Sequence, residues 1–168
     1  MENILRITGK KQLKALFYFF FEAMMYVGVI YYFKIDDLFF ILTILVPLLT
    51  FQFFPAIFFH IEYLLKNRKE EYELRGDRII KHKDNKEFSY TKNDIKKIIV
   101  YVSPNYFRGG IYFTAFENYH FAKVILNSGE VLYLTSLLAP GGIDRMLSAY
   151  LKEIPYRKEK RLFCSTLY

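Results

Sequence analysis

Glu22 is the one acidic side chain inside a long apolar run, ALFYFFFEAMMYVGVIYYF, from Ala15 to Phe33. At helical rise it lies roughly 10 Å from the basic end of that run. An ionised carboxylate at such a depth in hydrocarbon costs a few kcal/mol, so it needs a donor or a proton. Gln52, at similar depth in a second apolar run, is the candidate donor. Such a pair could line a proton or ion path, or could bond one helix to another. The second reading is favoured, because a path needs more helices than one hairpin supplies.

Cations form the other chemical pattern. Lys10, Lys11 and Lys14 precede the first apolar run, Lys66, Arg68 and Lys69 follow the second, and Arg157, Lys158, Lys160 and Arg161 lie near the C-terminus. All ten are candidate contacts for anionic lipid headgroups, worth ~1 kcal/mol each near a membrane surface. This placement accounts for the net charge of +7 without nucleic acid. His60, His82 and His120 are scattered, and the single Cys164 cannot form an intramolecular disulfide. The chain has no phosphate-binding loop, nucleophile elbow or dinucleotide fingerprint. Gly109-Gly110 and Gly141-Gly142 read as turns. No enzyme and no cofactor are expected.

The elements that must hold these residues differ between the two parts of the chain. Of 168 residues, 53% are hydrophobic and 20% aromatic, with 18 Phe and 15 Tyr. Up to Lys66 there are six Lys/Arg against five Asp/Glu; beyond it there are eighteen against twelve. The apolar residues thus gather in the first part and the charges in the second. Residues 15–33 and 38–61 are each long enough for a helix that crosses a ~30 Å hydrocarbon core. Lys34 to Asp37 is the only polar break between them, which predicts a transmembrane helical hairpin over 15–65. Pro47 and Pro55 predict a bent second helix. Residues 1–14 are mostly polar, no small-residue cleavage site follows the first run, and a second run comes at once, so a cleaved leader is not expected. Cations flank both outer ends, while the connecting loop carries only Lys34. Both termini are therefore expected in the cytoplasm. His60 and Glu62 read as interfacial residues.

Beyond Arg68 the pattern turns to short alternating runs. Strands are expected at Tyr72 to Arg75, Arg78 to Lys83, Glu87 to Tyr90, Ile95 to Val102, Ile111 to Phe116, His120 to Leu126 and Val131 to Thr135. Gly76-Asp77, Asp84-Asn85 and Asn127 to Glu130 supply turns. Ile143, Met146, Leu147, Tyr150, Leu151 and Ile154 share one helical face. The expected unit is a small antiparallel β-barrel or sandwich over 70–154 with a C-terminal capping helix. A basic tail, 155–168, would follow.

Three segments carry a resemblance: Tyr72 to Lys83; Phe88-Ser89-Tyr90 leading through Asp94-Ile95 to Ile98; and Val124 to Leu138. With the preceding hairpin, the chain resembles bacterial membrane proteins with a pleckstrin-homology-like cytoplasmic domain. The resemblance covers roughly Ala15 to Leu151. It implies an α+β, multi-pass protein of the bacterial inner membrane that works as a scaffold or interaction protein. Its partners would be lipid headgroups, further copies of itself or another protein. A transport or channel subunit built from oligomerised hairpins is the alternative. The basic phosphoinositide motif of eukaryotic relatives is not clearly present, although Arg75, Arg78, Lys81 and Lys83 lie on or beside the first two strands.

Overall fold

The computed structural model describes residues 3–76, 78–109, 114–140, 142–150 and 154–167. The first helix, α1 (Gly9–Tyr32), starts where the Thr8 side chain accepts from the Lys11 backbone N–H at 3.3 Å. It ends at a turn in which Lys34 has a left-handed φ of 48°. Asp37 then caps α2 (Leu38–Asn67), accepting from the N–H groups of Phe39 and Phe40. Helix α2 contains a π-helical turn, Ile41–Leu45, just before Pro47. Pro55 lies inside the helix. On the strand-domain side α1 begins six residues before Ala15, and α2 ends six residues after Ile61. Packing against the strands accounts for the added turns.

Two four-stranded sheets follow. The first holds β1 (Asn3–Leu5), β2 (Glu70–Arg75), β3 (Arg78–Lys83) and β4 (Lys86–Thr91), all antiparallel and in that order. The second is ordered β7 (Val131–Thr135), β6 (Phe121–Leu126), β5 (Ile95–Val102), β8 (Tyr156–Lys160), with β8 parallel to β5. A short helix α3 (Pro104–Phe107) and a 3₁₀ turn Ala115–Asn118 lie between β5 and β6. Helix α4 (Ile143–Tyr150) follows β7.

Several expectations change here. Among the described residues the sheets form a two-layer arrangement and no closed barrel. The N-terminal segment contributes an edge strand, pairing Asn3 with Leu74. The segment expected as a basic tail contains β8. The strand expected over Ile111 to Phe116 is in part a 3₁₀ turn, because a Thr114/Glu117 capping box closes it. Asp77, Gly110 to Phe113, Gly141, Leu151 and the Tyr150 side chain lie outside the described residues, so those parts of the expected turns, strand and capping helix are not addressed.

The second sheet forms the middle layer. On one face Ile98, Val100, Val124, Leu132 and Leu134 pack with Tyr72, Leu74 and Ile79 of the first sheet and with Ile143 and Leu147 of α4. On the other face Tyr101 and Phe121 pack with Ala56, Phe59 and Tyr63 of α2. Strand alternation alone sends Tyr101 and Phe121 to the helix side and their neighbours Val100 and Ala122 to the sheet side.

Candidate functional site

The chemistry concentrates where the hairpin meets the second sheet. Ala15, Phe19, Glu22 and Tyr26 recur at helical spacing along one face of α1. The Ala15 carbonyl accepts from the Asn118 side-chain amide at 3.3 Å. Phe19 meets Phe53 of α2, with ring centroids 4.8 Å apart. The Glu22 carboxylate accepts from the Ala115 N–H at 2.9 Å. The Tyr26 hydroxyl donates to the Gln52 side-chain oxygen at 2.5 Å. Glu22 and Gln52 therefore have separate partners. Phe53 touches both Phe19 and Tyr26, so the two residues do stand at similar levels. Glu22 turns instead to the start of the 3₁₀ turn, where a backbone donor would lack an intra-turn acceptor.

The base of α2 is tied more tightly. Tyr63 is fully buried, and its hydroxyl donates to the Cys164 carbonyl at 2.5 Å. His60 Nδ1 and the Tyr119 hydroxyl are 3.0 Å apart. Glu62 accepts from both the backbone and the hydroxyl of Thr166. Asn67, 0% exposed, donates to the Tyr133 carbonyl at 2.8 Å. Its side-chain oxygen accepts from the Thr135 backbone at 3.2 Å and from the Thr135 hydroxyl at 2.7 Å. One amide thus stitches the last turn of α2 to β7 through both of its ends. Burial pushes the Cys164 thiol up to about 12, against an opposing pull from Arg161.

The cations expected at lipid fall into different settings. Lys10 and Lys14 are exposed on α1. Lys11 turns inward and donates to the carbonyls of Arg6, at 3.0 Å, and Leu138, at 2.6 Å. Arg68 and Lys69 line a cleft with Glu71, His82 and the β3–β4 turn. Lys158 is bound to Asp144 at 2.6 Å and Arg157 to Glu159 at 3.3 Å, while Lys160 lies over the Phe107 ring. On the first sheet Lys81 and Lys83 share Glu70, and Arg75 pairs with Glu73. Burial opposes the charge on Glu70, but bonds from Tyr72, Lys81 and Lys83 outweigh it and hold its carboxyl low.

Lys66 and Arg161 belong to a ladder that also contains Lys123, a residue with no distinguishing signal in the sequence. The Lys66 ammonium stands 4.0 Å from the Tyr133 ring centroid. Lys123 lies 5.5 Å from the centroids of both Tyr133 and Tyr101. The Arg161 guanidinium stacks 3.9 Å over Tyr101. Register explains the meeting: Lys123 pairs with Tyr133, and Tyr101 with Phe121 two residues away on the same face.

The PH domain family matches residues 5–141 of this chain. The chain belongs to the PH domain family. The matched stretch starts in β1 and takes in both helices, so the hairpin lies inside it. No curated protein and no solved structure matches the chain.

Within the PH domain, His120 is 1% exposed and its ring lies 4.6 Å from that of Tyr106. Its Nδ1 meets the Asn118 carbonyl at 3.1 Å, and Nε2 is buried without a partner. Burial pushes its imidazole down to about 4, against smaller opposing effects of the Asn118 carbonyl and Asp144. Tyr106 and Lys158 both donate to Asp144 at 2.6 Å. Burial opposes the Asp144 charge, yet these two donors hold its carboxyl below the usual range. Among the described residues no group of three His, Cys, Asp or Glu side chains could hold a metal ion.

Proposed function

We propose that this PH-domain protein is anchored in a membrane by α1 and α2 and serves there as an interaction or scaffold module. The observation that carries the reading is the hairpin surface. Met24, Met25, Val27, Phe39, Leu42, Ile44, Phe51 and Phe54 are all exposed, at 54–75%. A soluble protein rarely leaves so continuous an apolar surface in water. Helices of 24 and 30 residues are also long enough to cross a bilayer. The cation asymmetry favours both ends of the hairpin, and the PH domain, on the cytoplasmic side of a bacterial inner membrane. The domain would then present its first sheet and α4 to a protein partner or to further copies of the chain. A transport role drew on a Glu22–Gln52 pair; with Glu22 bound to Ala115, that support is gone.

Alkaline carbonate extraction of membranes from expressing cells tests the anchor. The chain should stay in the pellet with integral proteins. Release into the supernatant would refute the reading.

A further inference from the structure

We propose that the segment after β8, residues 161–167, is a second membrane contact: it lies along the bilayer surface beside α2 and sinks Leu162, Phe163 and Leu167 among the upper acyl chains. The proposal rests on the membrane reading. It concerns residues beyond the stretch that matches the PH domain family.

The segment is built inside out for water. Cys164, Ser165 and Thr166 are buried, whereas Leu162, Phe163 and Leu167 are 53%, 43% and 70% exposed. Its polar middle turns to protein, and its apolar ends turn away. The Cys164 carbonyl accepts from the Tyr63 hydroxyl, and the Thr166 N–H and hydroxyl both donate to Glu62. The Ser165 hydroxyl oxygen accepts from the Leu167 N–H at 3.2 Å, and the Arg161 N–H donates to the Val102 carbonyl at 2.9 Å. Irregular backbone close to hydrocarbon needs such partners, since lipid offers none. The apolar surface also runs on without a break: Thr166 and Leu167 share a cleft with Phe58, Ile61 and Leu65 of α2, three further exposed side chains. A contiguous patch of this kind marks an interaction surface.

Depth decides what covers it. Phe163 meets Phe59 of α2 with ring centroids 6.3 Å apart, and Phe116 at 5.5 Å. Together with the bonds to Glu62 and Tyr63, these contacts hold the segment level with Phe59 to Tyr63. A hydrocarbon core of ~30 Å takes about 20 helical residues. Counted from Leu38, where α2 begins, such a core ends near Ile57. Phe59 to Tyr63 then stand about 3–9 Å beyond it, at the level of the headgroups. Apolar side chains at that level reach the acyl boundary, as those of interfacial segments do at depths of ~5–10 Å. Lipid therefore meets Leu162, Phe163 and Leu167 directly. The contact would hold the second sheet against the bilayer and leave the first sheet and α4 facing away from it.

The chain has no Trp, so one substitution gives a unique fluorophore. The full chain is reconstituted in phosphatidylcholine vesicles whose acyl chains carry bromine either close to the glycerol or close to the chain end. Leu162→Trp and Leu167→Trp report on the segment, Leu48→Trp on the middle of α2 and Phe88→Trp on the far layer, all at exposed positions. Leu162→Trp and Leu167→Trp should emit to the blue of Phe88→Trp. They should lose most of their intensity to bromine near the glycerol and less to bromine near the chain end, and Leu48→Trp should show the reverse order. Emission from Leu162→Trp and Leu167→Trp as red as that of Phe88→Trp and unquenched, beside a quenched Leu48→Trp, would overturn the contact and leave the membrane reading standing. Blue-shifted but unquenched emission would overturn it too, because a second copy of the chain would then cover the segment in place of lipid. An unquenched Leu48→Trp would remove the membrane reading and this inference with it. Neutral lipid keeps headgroup charge out of the result.

Discussion

Tyr63 and Asn67, at the base of the hairpin, are 0% exposed, whereas Met24 and Phe39, toward its tip, are each 75% exposed. Both ends belong to the same two helices and are built largely of aromatic and aliphatic residues. At the base of α2 the inward rings find protein: Tyr63 meets Phe59, Tyr119 and Phe121. Toward the tip most rings face outward, and side-chain hydrogen bonds are confined to Tyr26–Gln52, Thr43–Phe39 and the Asp37 cap among the described residues. Apolar content alone therefore does not distinguish a docking surface from a lipid-facing one. Polar side chains at fixed places do, because a buried Asn or Tyr hydroxyl must meet a partner.

Substitutions at the two ends should differ most. Tyr63→Ala removes a fully buried ring and its bond to Cys164, and should lower the stability of the helix–sheet joint by about 3–5 kcal/mol. Met24→Ala should change it by less than about 0.5 kcal/mol. Thermal unfolding of the purified chain in mild detergent reads both. Equal effects would erase the distinction between base and tip.

Acid should act on the domain and spare the tip. His120 is buried with a pKa of about 4, below its unfolded value near 6.5. Between those values the unfolded chain binds more protons, so stability falls as pH drops from about 6.5 to about 4. The full difference is about 3 kcal/mol. Asp144 and Lys158 face the same region, and loss of the Asp144 charge adds to the fall below about pH 4. A pH series of melting temperatures should show the slope, and His120→Phe should flatten its upper part.

Asn67→Ala would leave the Tyr133 carbonyl and the Thr135 N–H without their partner, at about 1–3 kcal/mol. Limited proteolysis should then cut between α2 and β2 sooner. Glu22→Gln should have the smallest effect, below about 1 kcal/mol, since its amide oxygen can still accept from Ala115. Glu22→Leu removes that acceptor and should cost more. Melting curves of the two variants compare them directly.

Local signals in the sequence reach as far as the turns. Asp84 and Asn85 take φ of 50° and 60°, as a tight hairpin demands, and Gly129 takes 89°. The apolar periodicity of Ile143, Met146 and Leu147 marks the face that α4 packs inward. Two edge strands left no such signal. β1 is three residues long and pairs across some seventy positions of chain. β8 reads Tyr-Arg-Lys-Glu-Lys, a charged run without apolar alternation, although its backbone joins β5 and Lys158 reaches Asp144. Glu22 was legible as a residue in need of a partner, but its partner is a backbone N–H, which every residue type carries. Lys123 resembles any other strand lysine until β-register sets it between Tyr101 and Tyr133.

The hairpin tip and the PH domain are expected to lie on opposite sides of a membrane. Labelling intact cells with a membrane-impermeant maleimide tests it on single-cysteine additions at two exposed positions, Asp36→Cys in the tip loop and Lys86→Cys on β4. Cys164 supplies a silent background, being 1% exposed with its thiol pushed up to about 12. Asp36→Cys should react in intact cells once the outer surface is permeable to the reagent, and Lys86→Cys should react only after the inner membrane is opened. Labelling of both positions before the inner membrane is opened would contradict it.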